Sequence, residues 1–378
     1  MRTLLYFRTH FDDPANTGVI DKCKAIASGF GVDSDIWFFD QNGLQHQGPD
    51  TPLSLQWKTP KRSWRHLFLY YFAADRYMKG HIDFRQYAVF YIRHLPAHPM
   101  FLTLLKKAKQ QNPALKIIIE LPTWPYDGEL KGATAQVAAL VDRTYREKMA
   151  DYTDYFVHFG AETKIWGVPT LRLTNGIEVA KKPLRQWKDQ KDGVLRLLAV
   201  GNWNHALGID RLLYGVSLYH KTGKKVMVRI VGQGAAIDGL KHLVQELGIG
   251  ENIFFLPPCS GADYDRLFDE SDMAIGKLMI PVKGLLATSA LRHRDYCARG
   301  IPFVLSGTDS DIATNWPFVL HVSDDSAPIN IQEIEDFYTK IKVNYPNYQK
   351  QMRNFALENL DWSGKIRQII DQISPVKV

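Results

Sequence analysis

The stretch Val194-Leu-Arg-Leu-Leu-Ala-Val200 is an apolar run with the length of a buried strand. A predicted helix over Ile209–His220 follows it, and then a second apolar strand, Val226–Val231, which ends in Gly232-Gln-Gly234. A strand, a helix and a strand at this spacing predict a parallel sheet with right-handed crossovers. Shorter apolar runs continue the alternation as far as Leu305. This half of the chain is therefore predicted to form a Rossmann-like domain.

The N-terminal half repeats the pattern. Its predicted strands at Thr3–Arg8, Tyr87–Ile92 and Lys116–Glu120 are largely apolar rather than alternating, as a sheet covered on both faces requires. A long helix is predicted over Ala133–Met149. The fold class is thus α/β, with two Rossmann-like domains that face each other across a cleft. Ligands are expected at the carboxyl ends of the strands.

The length of 378 residues exceeds what one hydrophobic core usually holds, which favours two domains. Residues 181–193 are polar and without period, and they predict a linker between a first domain, 1–180, and a second domain, 194–358. Residues 359–378 contain an amphipathic segment and predict a C-terminal helix.

The composition favours anionic partners, because the chain carries a formal net charge of +7. Three widely spaced cysteines form no metal-ligand pattern and suggest a reducing, cytoplasmic compartment. No apolar stretch approaches the roughly 20 residues that cross a bilayer. A basic cluster, Lys58–His66, is either a solvated loop or a patch for peripheral contact with an anionic membrane at its inner face. No nucleic-acid partner is expected, since no recognised motif accompanies the charge.

Several motifs resemble those of one family when they are taken in order. Leu198-Ala-Val-Gly-Asn-Trp-Asn-His-Ala-Leu-Gly-Ile-Asp-Arg-Leu-Leu213 and Ile230-Val-Gly-Gln-Gly234 are similar to the opening of its donor domain. Asp295-Tyr-Cys-Ala-Arg-Gly-Ile-Pro-Phe-Val304 lies where that family has a signature helix, and Leu173-Thr-Asn-Gly-Ile177 matches a turn that ends its first domain. Glu120–Glu129 is similar to a bacterial polysaccharide-synthesis branch. The chain resembles glycosyltransferase family four, which has the GT-B fold.

The resemblance implies a metal-independent hexosyltransferase that retains the anomeric configuration of the transferred sugar. The donor would be a nucleotide-diphosphate sugar, which serves as co-substrate with no further cofactor. The acceptor would be a glycan or a lipid-linked glycan of cell-surface polysaccharide biosynthesis. The first domain would bind the acceptor and the second the donor, and the last helix would cross back to the first domain.

The donor site is where the sequence departs from the family pattern. Two basic family positions fall on Asn202 and Leu207, and the first of two acidic positions falls on Ala287. The missing positive charge is expected to be rebuilt by other basic residues, because arginine suits bidentate phosphate contact. The residues predicted as catalytic are Asp295, Arg292 and Arg294. Those predicted to bind the donor are Gly18, Asn202, Gly232, Gly234, Lys283 and Gly284.

The acceptor side is predicted from polar and aromatic residues that follow the strands of the first half. Carboxylates accept hydrogen bonds from sugar hydroxyls, and aromatic rings pack on sugar faces. The predicted acceptor-binding residues are Arg93, His94, Glu120, Tyr126, Asp127 and Glu129.

Two other functions are compatible with the sequence. The altered family positions would suit a non-catalytic binding partner in a glycan pathway. A nucleotide-sugar epimerase of the GT-B fold would keep the fold and place its acidic residues and histidines differently.

Overall fold

The computed structural model describes residues 2–12, 17–58, 67–93, 96–122, 124–126, 133–187, 192–204, 207–278 and 287–373. Contacts divide the chain into two units. The first contains the residues up to Thr174 together with the C-terminal helix that begins at Trp362. The second is Asn175–Asp361.

Strands and helices alternate over most of the chain. The strands are β1 Thr3–His10, β2 Ser34–Phe39, β3 Gly43–Gln47, β4 Ser54–Lys58, β5 Val89–Arg93, β6 Lys116–Glu120, β7 Tyr155–His158, β8 Lys164–Ile165, β9 Val168–Arg172, β10 Leu195–Asn202, β11 Val226–Gln233, β12 Ile253–Leu256, β13 Met273–Ile275, β14 Ala287–Thr288, β15 Phe303–Ser306, β16 Thr308–Asp309 and β17 Val319–Val322. The α-helices are α1 Thr17–Phe30, α2 Leu67–His81, α3 Pro99–Gln111, α4 Ala133–Tyr145, α5 Ile209–His220, α6 Ile237–Glu246, α7 Gly261–Asp269, α8 Leu291–Arg299, α9 Ile331–Asn344, α10 Tyr348–Phe355 and α11 Trp362–Ile373.

The first unit is built on a sheet with strand order β4-β3-β2-β1-β5-β6-β7-β9-β8. Strands β1, β5, β6, β7 and β9 run parallel, and β3 and β8 pair antiparallel with their neighbours. Side chains of α2 and α3 cover one face, and side chains of α1 and α11 cover the other. Strand β1 is buried along its length up to Thr9, which explains its largely apolar sequence.

Helix α11 completes the first unit although it is separated from it in sequence. Its residues Trp362, Ile366, Ile369 and Ile373 are buried in the same core as the apolar face of α1. The helices approach so closely that a Cβ atom on Gly29 would lie 2.4 Å from Cγ2 of Ile366. The resemblance implies this return of the last helix to the first domain.

The second unit has a six-stranded parallel sheet of order β12-β11-β10-β13-β15-β17. Strand order reverses beside β10, so the carboxyl ends of β10 and β13 flank a switch point. The predicted α/β class with parallel sheets is confirmed in both units. Helix α5 has the predicted bounds, Ile209–His220.

Two predicted elements differ in the structure. The helix predicted over Ala133–Met149 ends at Tyr145, and a tighter 3₁₀ helix, Glu147–Tyr152, follows it. The predicted linker contains the buried residue Arg185, whose Nη2 atom donates to the Tyr348 hydroxyl at 2.5 Å. This part of the segment therefore packs on the second unit, although its composition is that of a linker.

Two sequence features concern membranes. Within the described ranges, no helix has both the length and the apolar character that crossing a bilayer requires. Of the basic cluster Lys58–His66, residues 59–66 lie outside the described residues.

Candidate functional site

The carboxyl ends of β10 and β11 lie side by side and are shaped by glycine. In the register of these strands, Gly201 pairs with Gly232. Gly232 has a φ of 129°, and a Cβ atom there would lie 1.9 Å from the Gly201 carbonyl oxygen. Gly234 has a φ of 144°, and its Cβ atom would lie 2.1 Å from the carbonyl oxygen of Trp203. Both glycines are thus required by backbone contact, and their contact with a donor stays a prediction.

Trp203 packs next to these glycines. It is fully buried, and its indole N–H donates to the Val231 carbonyl at 3.1 Å. The guanidinium carbon of Arg292 lies 5.1 Å from the centre of the Trp203 ring, within the range of a cation–π interaction. Gly201 leaves room for this guanidinium, because a Cβ atom there would lie 2.7 Å from Nη2 of Arg292. Asn202 ends β10 with an exposed side chain, and its role in donor binding stays a prediction.

Arg292 lies in the first turn of α8, and its guanidinium is not fully hydrogen-bonded. Its Nη1 nitrogen is buried and has no hydrogen-bond partner among the described residues. Burial lowers the pKa of the guanidinium, since the protein removes water without supplying a counter-charge. Ala290, which precedes α8, offers no side-chain hydrogen bond to cap the N-terminus of this helix. A cation beside open helix N–H groups favours a bound anion.

Arg294 is two residues further along α8, and its environment is the opposite. Its guanidinium is fully buried and forms ion pairs with Asp309 and Asp311. It also donates from Nε to the Asn175 carbonyl at 3.0 Å. These contacts hold the side chain within the second unit, and the catalytic role of Arg294 stays a prediction.

Asp295 is engaged on both carboxylate oxygens. It accepts a hydrogen bond from the Tyr264 hydroxyl at 2.8 Å and another from Nε of Arg299 at 2.9 Å. Its side chain keeps 11% of its surface exposed. Each carboxylate oxygen can accept a further hydrogen bond, so contact with a donor hydroxyl stays a prediction.

Two residues near Arg292 were missed by the sequence reasoning. His293 is fully buried, its Nδ1 lies 2.8 Å from Asp309, and its Nε2 has no partner in the described part of the chain. Burial lowers the pKa of the imidazole, which favours its neutral form. Lys277 follows the end of β13 and is partly buried. No motif marks either residue.

In the first unit, the predicted acceptor residue Glu120 ends β6 and is fully buried. It accepts hydrogen bonds from Lys22 at 2.6 Å and from the Tyr91 hydroxyl at 2.8 Å, and it forms a close ion pair with Arg93. Burial raises its pKa, but the two cations outweigh burial and hold that pKa at about 2. Glu120 and Arg93 are thus paired within the first unit, and their contact with an acceptor stays a prediction.

The remaining predicted residues of the first unit are distributed as follows. Tyr126 is buried and donates to Asp142 at 3.2 Å, with the Arg146 guanidinium 5.6 Å from its ring, so its surroundings are those of a packing residue. Gly18 lies in the first turn of α1, and its contact with a donor stays a prediction.

The predicted site residues of either half that lie outside the described ranges are His94, Asp127, Glu129, Lys283 and Gly284.

A second buried polar cluster lies near the carboxyl end of β1 and was also missed. Asp75 accepts a hydrogen bond from Tyr6 at 2.8 Å and lies 3.2 Å from Nε2 of His98. Arg8 lies 3.7 Å from Asp75 and between the rings of Tyr71 and Phe101. In the ranges that the structure covers, no group of three or more His, Cys, Asp and Glu residues is arranged to hold a metal ion.

Comparison with known proteins gives a match to a family model within the second unit. Residues 180–292 match the family model described as glycosyl transferases group 1. No curated protein matches the chain in sequence.

Solved structures resemble the whole chain. A sucrose-phosphate synthase from Thermosynechococcus elongatus is 12% identical with a TM-score of 0.62, and the alignment covers 98% of each chain. WaaG, a glycosyltransferase involved in lipopolysaccharide biosynthesis, is 13% identical with a TM-score of 0.61, covering 99% of this chain and 100% of that one. Anabaena Alr3699/HepE in complex with UDP-glucose is 10% identical with a TM-score of 0.58, covering 99% of each chain. At such identities the likeness shows the fold, and together with the family match it confirms the resemblance found in the sequence.

Proposed function

We propose that this GT-B chain, which carries a match to the group 1 glycosyltransferases, transfers a sugar from a nucleotide-diphosphate donor to a glycan or lipid-linked acceptor. The observation that carries the proposal is Arg292. Its buried Nη1 nitrogen lacks a partner among the described residues, and it lies at the start of α8 beside the carboxyl end of β10. A diphosphate would supply the charge and the hydrogen-bond acceptors that this cation lacks.

The chemistry of the proposed reaction favours such a cation. The bond between the anomeric carbon and the phosphate oxygen breaks, and negative charge grows on the leaving diphosphate. A fixed positive group stabilises that charge most when it is preorganised and shielded from water. Arg292 meets both conditions, because Trp203 supports its guanidinium and burial removes its water.

The choice of donor to test is supported by what similar structures bind. Alr3699/HepE was solved with UDP and with UDP-glucose, and a pneumococcal O-GlcNAc transferase was solved with UDP and GlcNAc. We therefore propose a UDP-hexose as the first donor to test. The sugar itself is decided by pocket contacts that each contribute a few kcal/mol.

The resemblance to family four supports the finer parts of the proposal. Transfer would retain the anomeric configuration by front-side attack, with the acceptor hydroxyl proton passing to the leaving phosphate oxygen. Arg292 would supply the positive charge, so the proposed reaction needs no metal ion. The acceptor would belong to cell-surface polysaccharide biosynthesis, and the protein would work in the cytoplasm, in peripheral contact with an anionic membrane.

One observation favours a non-catalytic binding partner instead. The two family positions that are basic in the resemblance are Asn202 and Leu207 here, and the first acidic position is Ala287. A chain that binds a glycan without transferring a sugar would not need these charges.

The test is a binding and turnover assay on the wild type and on Arg292→Met. We expect UDP and UDP-glucose to stabilise the wild type, by about 2.7 kcal/mol at a hundred times the Kd. We expect Arg292→Met to bind UDP at least about tenfold more weakly, since a charged hydrogen bond is lost.

The matched control is Arg266→Met, because Arg266 is in the same unit and its side chain is 67% exposed. Release of UDP from UDP-glucose by the wild type, measured with and without EDTA, separates an enzyme from a binding partner. Stabilisation by no nucleoside diphosphate or nucleotide sugar of a broad panel would overturn the proposal. Binding without turnover of any donor would favour the non-catalytic protein.

A further inference from the structure

Lys277 occupies a fixed position in the second unit. Strand β13 pairs with β10 up to Ile275, which lies opposite Ala199. Two residues further along each strand are Lys277 and Gly201. The backbone of Lys277 is held on one side by the Ser306 N–H, which donates to its carbonyl at 2.8 Å. On the other side, the next residue, Leu278, donates to the Leu207 carbonyl at 3.0 Å. The strands therefore place Lys277 at the level of the glycine against which Arg292 lies.

The ammonium group of Lys277 lacks a hydrogen-bonded partner in the described part of the chain. Within the described ranges it forms no hydrogen bond and no ion pair, although the side chain is partly buried. Burial lowers the pKa of Lys277; the carboxylate of Asp324 raises it, and the charge of Arg292 lowers it further. Asp324 itself accepts a hydrogen bond from the Ser306 hydroxyl at 2.9 Å.

Two cations that have no hydrogen-bonded anion among the described residues are unfavourable in the ligand-free protein. Each repels the other, and each has lost water without gaining a hydrogen-bond acceptor. A structural lysine would be expected to pair with a carboxylate, as Lys22 pairs with Glu120. Two adjacent phosphates carry the charge and the number of oxygens that would satisfy both groups.

We propose that Lys277 and Arg292 together bind the diphosphate of the donor, with Lys277 supplying the charge that Asn202 and Leu207 do not. This inference rests on the proposed function and names the residue that completes its phosphate site. The second cation comes from the end of β13, rather than from the loop after β10 where the sequence resemblance places a basic pair. When the bond from the anomeric carbon to the phosphate oxygen breaks, the electron pair stays on that oxygen, and the ammonium group stabilises it without giving up a proton.

The experiment measures the Kd of UDP and of uridine by calorimetry for the wild type, Lys277→Met, Lys277→Arg and Lys340→Met. Lys340 is exposed on α9 of the same unit and serves as the matched control. We expect Lys277→Met to weaken UDP binding at least about tenfold and to leave uridine binding unchanged. Lys277→Arg keeps the charge and should retain more UDP affinity than Lys277→Met.

The melting temperature of the empty variants distinguishes binding from structure. We expect Lys277→Met to melt at or above the wild-type temperature, because it removes an unpaired charge. Equal UDP affinity in the wild type and Lys277→Met would overturn the role of Lys277, as would a loss that is equally large for uridine. A wild type that binds no nucleoside diphosphate would instead overturn the proposed function on which this inference rests.

Discussion

In the first unit, Glu120 is fully buried and is surrounded by donors, with Lys22 and Arg93 both within ion-pair distance. In the second unit, Arg292 and Lys277 have no hydrogen-bonded anion among the described residues, and the charge of Arg292 lowers the pKa of Lys277. The first arrangement is closed, since each charge has its partner inside the protein. The second is open, since no such partner is found among the described residues. The difference separates charges that are paired within the fold from charges that we propose to be paired by a bound diphosphate.

The same contrast occurs within one helix. Arg292 and Arg294 are two residues apart on α8, and a separation of two places side chains on different faces. Arg294 faces Asp309 and Asp311, whereas Arg292 faces Trp203. Residue type alone therefore does not identify a phosphate ligand; the partners that the fold provides do.

The largest expected effect comes from removing the carboxylate charge of Glu120, which pairs with Lys22 and Arg93. Glu120→Gln would leave Lys22 and Arg93 buried without a carboxylate, and we expect the first unit to lose about 3 to 5 kcal/mol of unfolding free energy. Denaturant unfolding followed by circular dichroism measures the loss. The matched control is Glu162→Gln, because the Glu162 side chain is 46% exposed. A variant as stable as the wild type would show that the cluster does not support the fold.

Acid should disrupt the same ion pairs without a mutation, because it protonates the Glu120 carboxylate. The pKa of Glu120 in the folded protein, about 2, lies below the ordinary glutamate value of about 4.3. Its stabilisation is therefore complete above about pH 4.3 and is lost as the pH falls from there towards 2, at a total of order 3 kcal/mol. Melting temperatures between about pH 6 and pH 3 test this window. Asp309 in the second unit, with a pKa also of about 2, should add to the same acid dependence. A melting temperature that stays constant across the window would contradict the closed arrangement.

The smallest expected effect comes from disturbing the open site. In Gly201→Ala the new methyl group would lie 2.7 Å from Nη2 of Arg292, so the flexible guanidinium must move. We expect UDP affinity to fall by roughly threefold to tenfold, equivalent to about 1 kcal/mol. The melting temperature of the empty protein should change little, since no partnered charge is lost. Calorimetry and thermal melting on the same sample give both values. Unchanged UDP affinity would place the phosphates away from Arg292.

The sequence predicted the architecture well, because periodicity reports burial directly. Helix α5 matches its predicted bounds, since its apolar spacing is that of one helical face. Buried side chains in the predicted linker were less predictable. Arg185 is hydrophilic by type, yet its guanidinium is buried against carbonyls and the Tyr348 hydroxyl. Such contacts depend on distant parts of the chain that composition does not reveal.

The candidate site was predicted only in part, for the same reason. The cluster around Arg292 could be inferred from local charge, but the choice between Arg292 and Arg294 depended on aspartates that follow 15 and 17 residues later. Lys277 was missed because a lone lysine after a three-residue strand has no distinguishing pattern. Glu120 was assigned to the acceptor from its place at a strand end, where its buried partner Lys22 is 98 residues away in sequence.

The position of α11 has a consequence for how the protein is made. Trp362, Ile366 and Ile369 fill the core beneath α1, so the first unit lacks part of its interior until the ribosome has synthesised these residues. The second unit, Asn175–Asp361, is contiguous and leaves the ribosome complete before them. Domains generally fold as units during synthesis, the N-terminal one first. In this protein we expect the reverse order. The second unit would reach its native state before the first unit, which is incomplete until α11 has been synthesised.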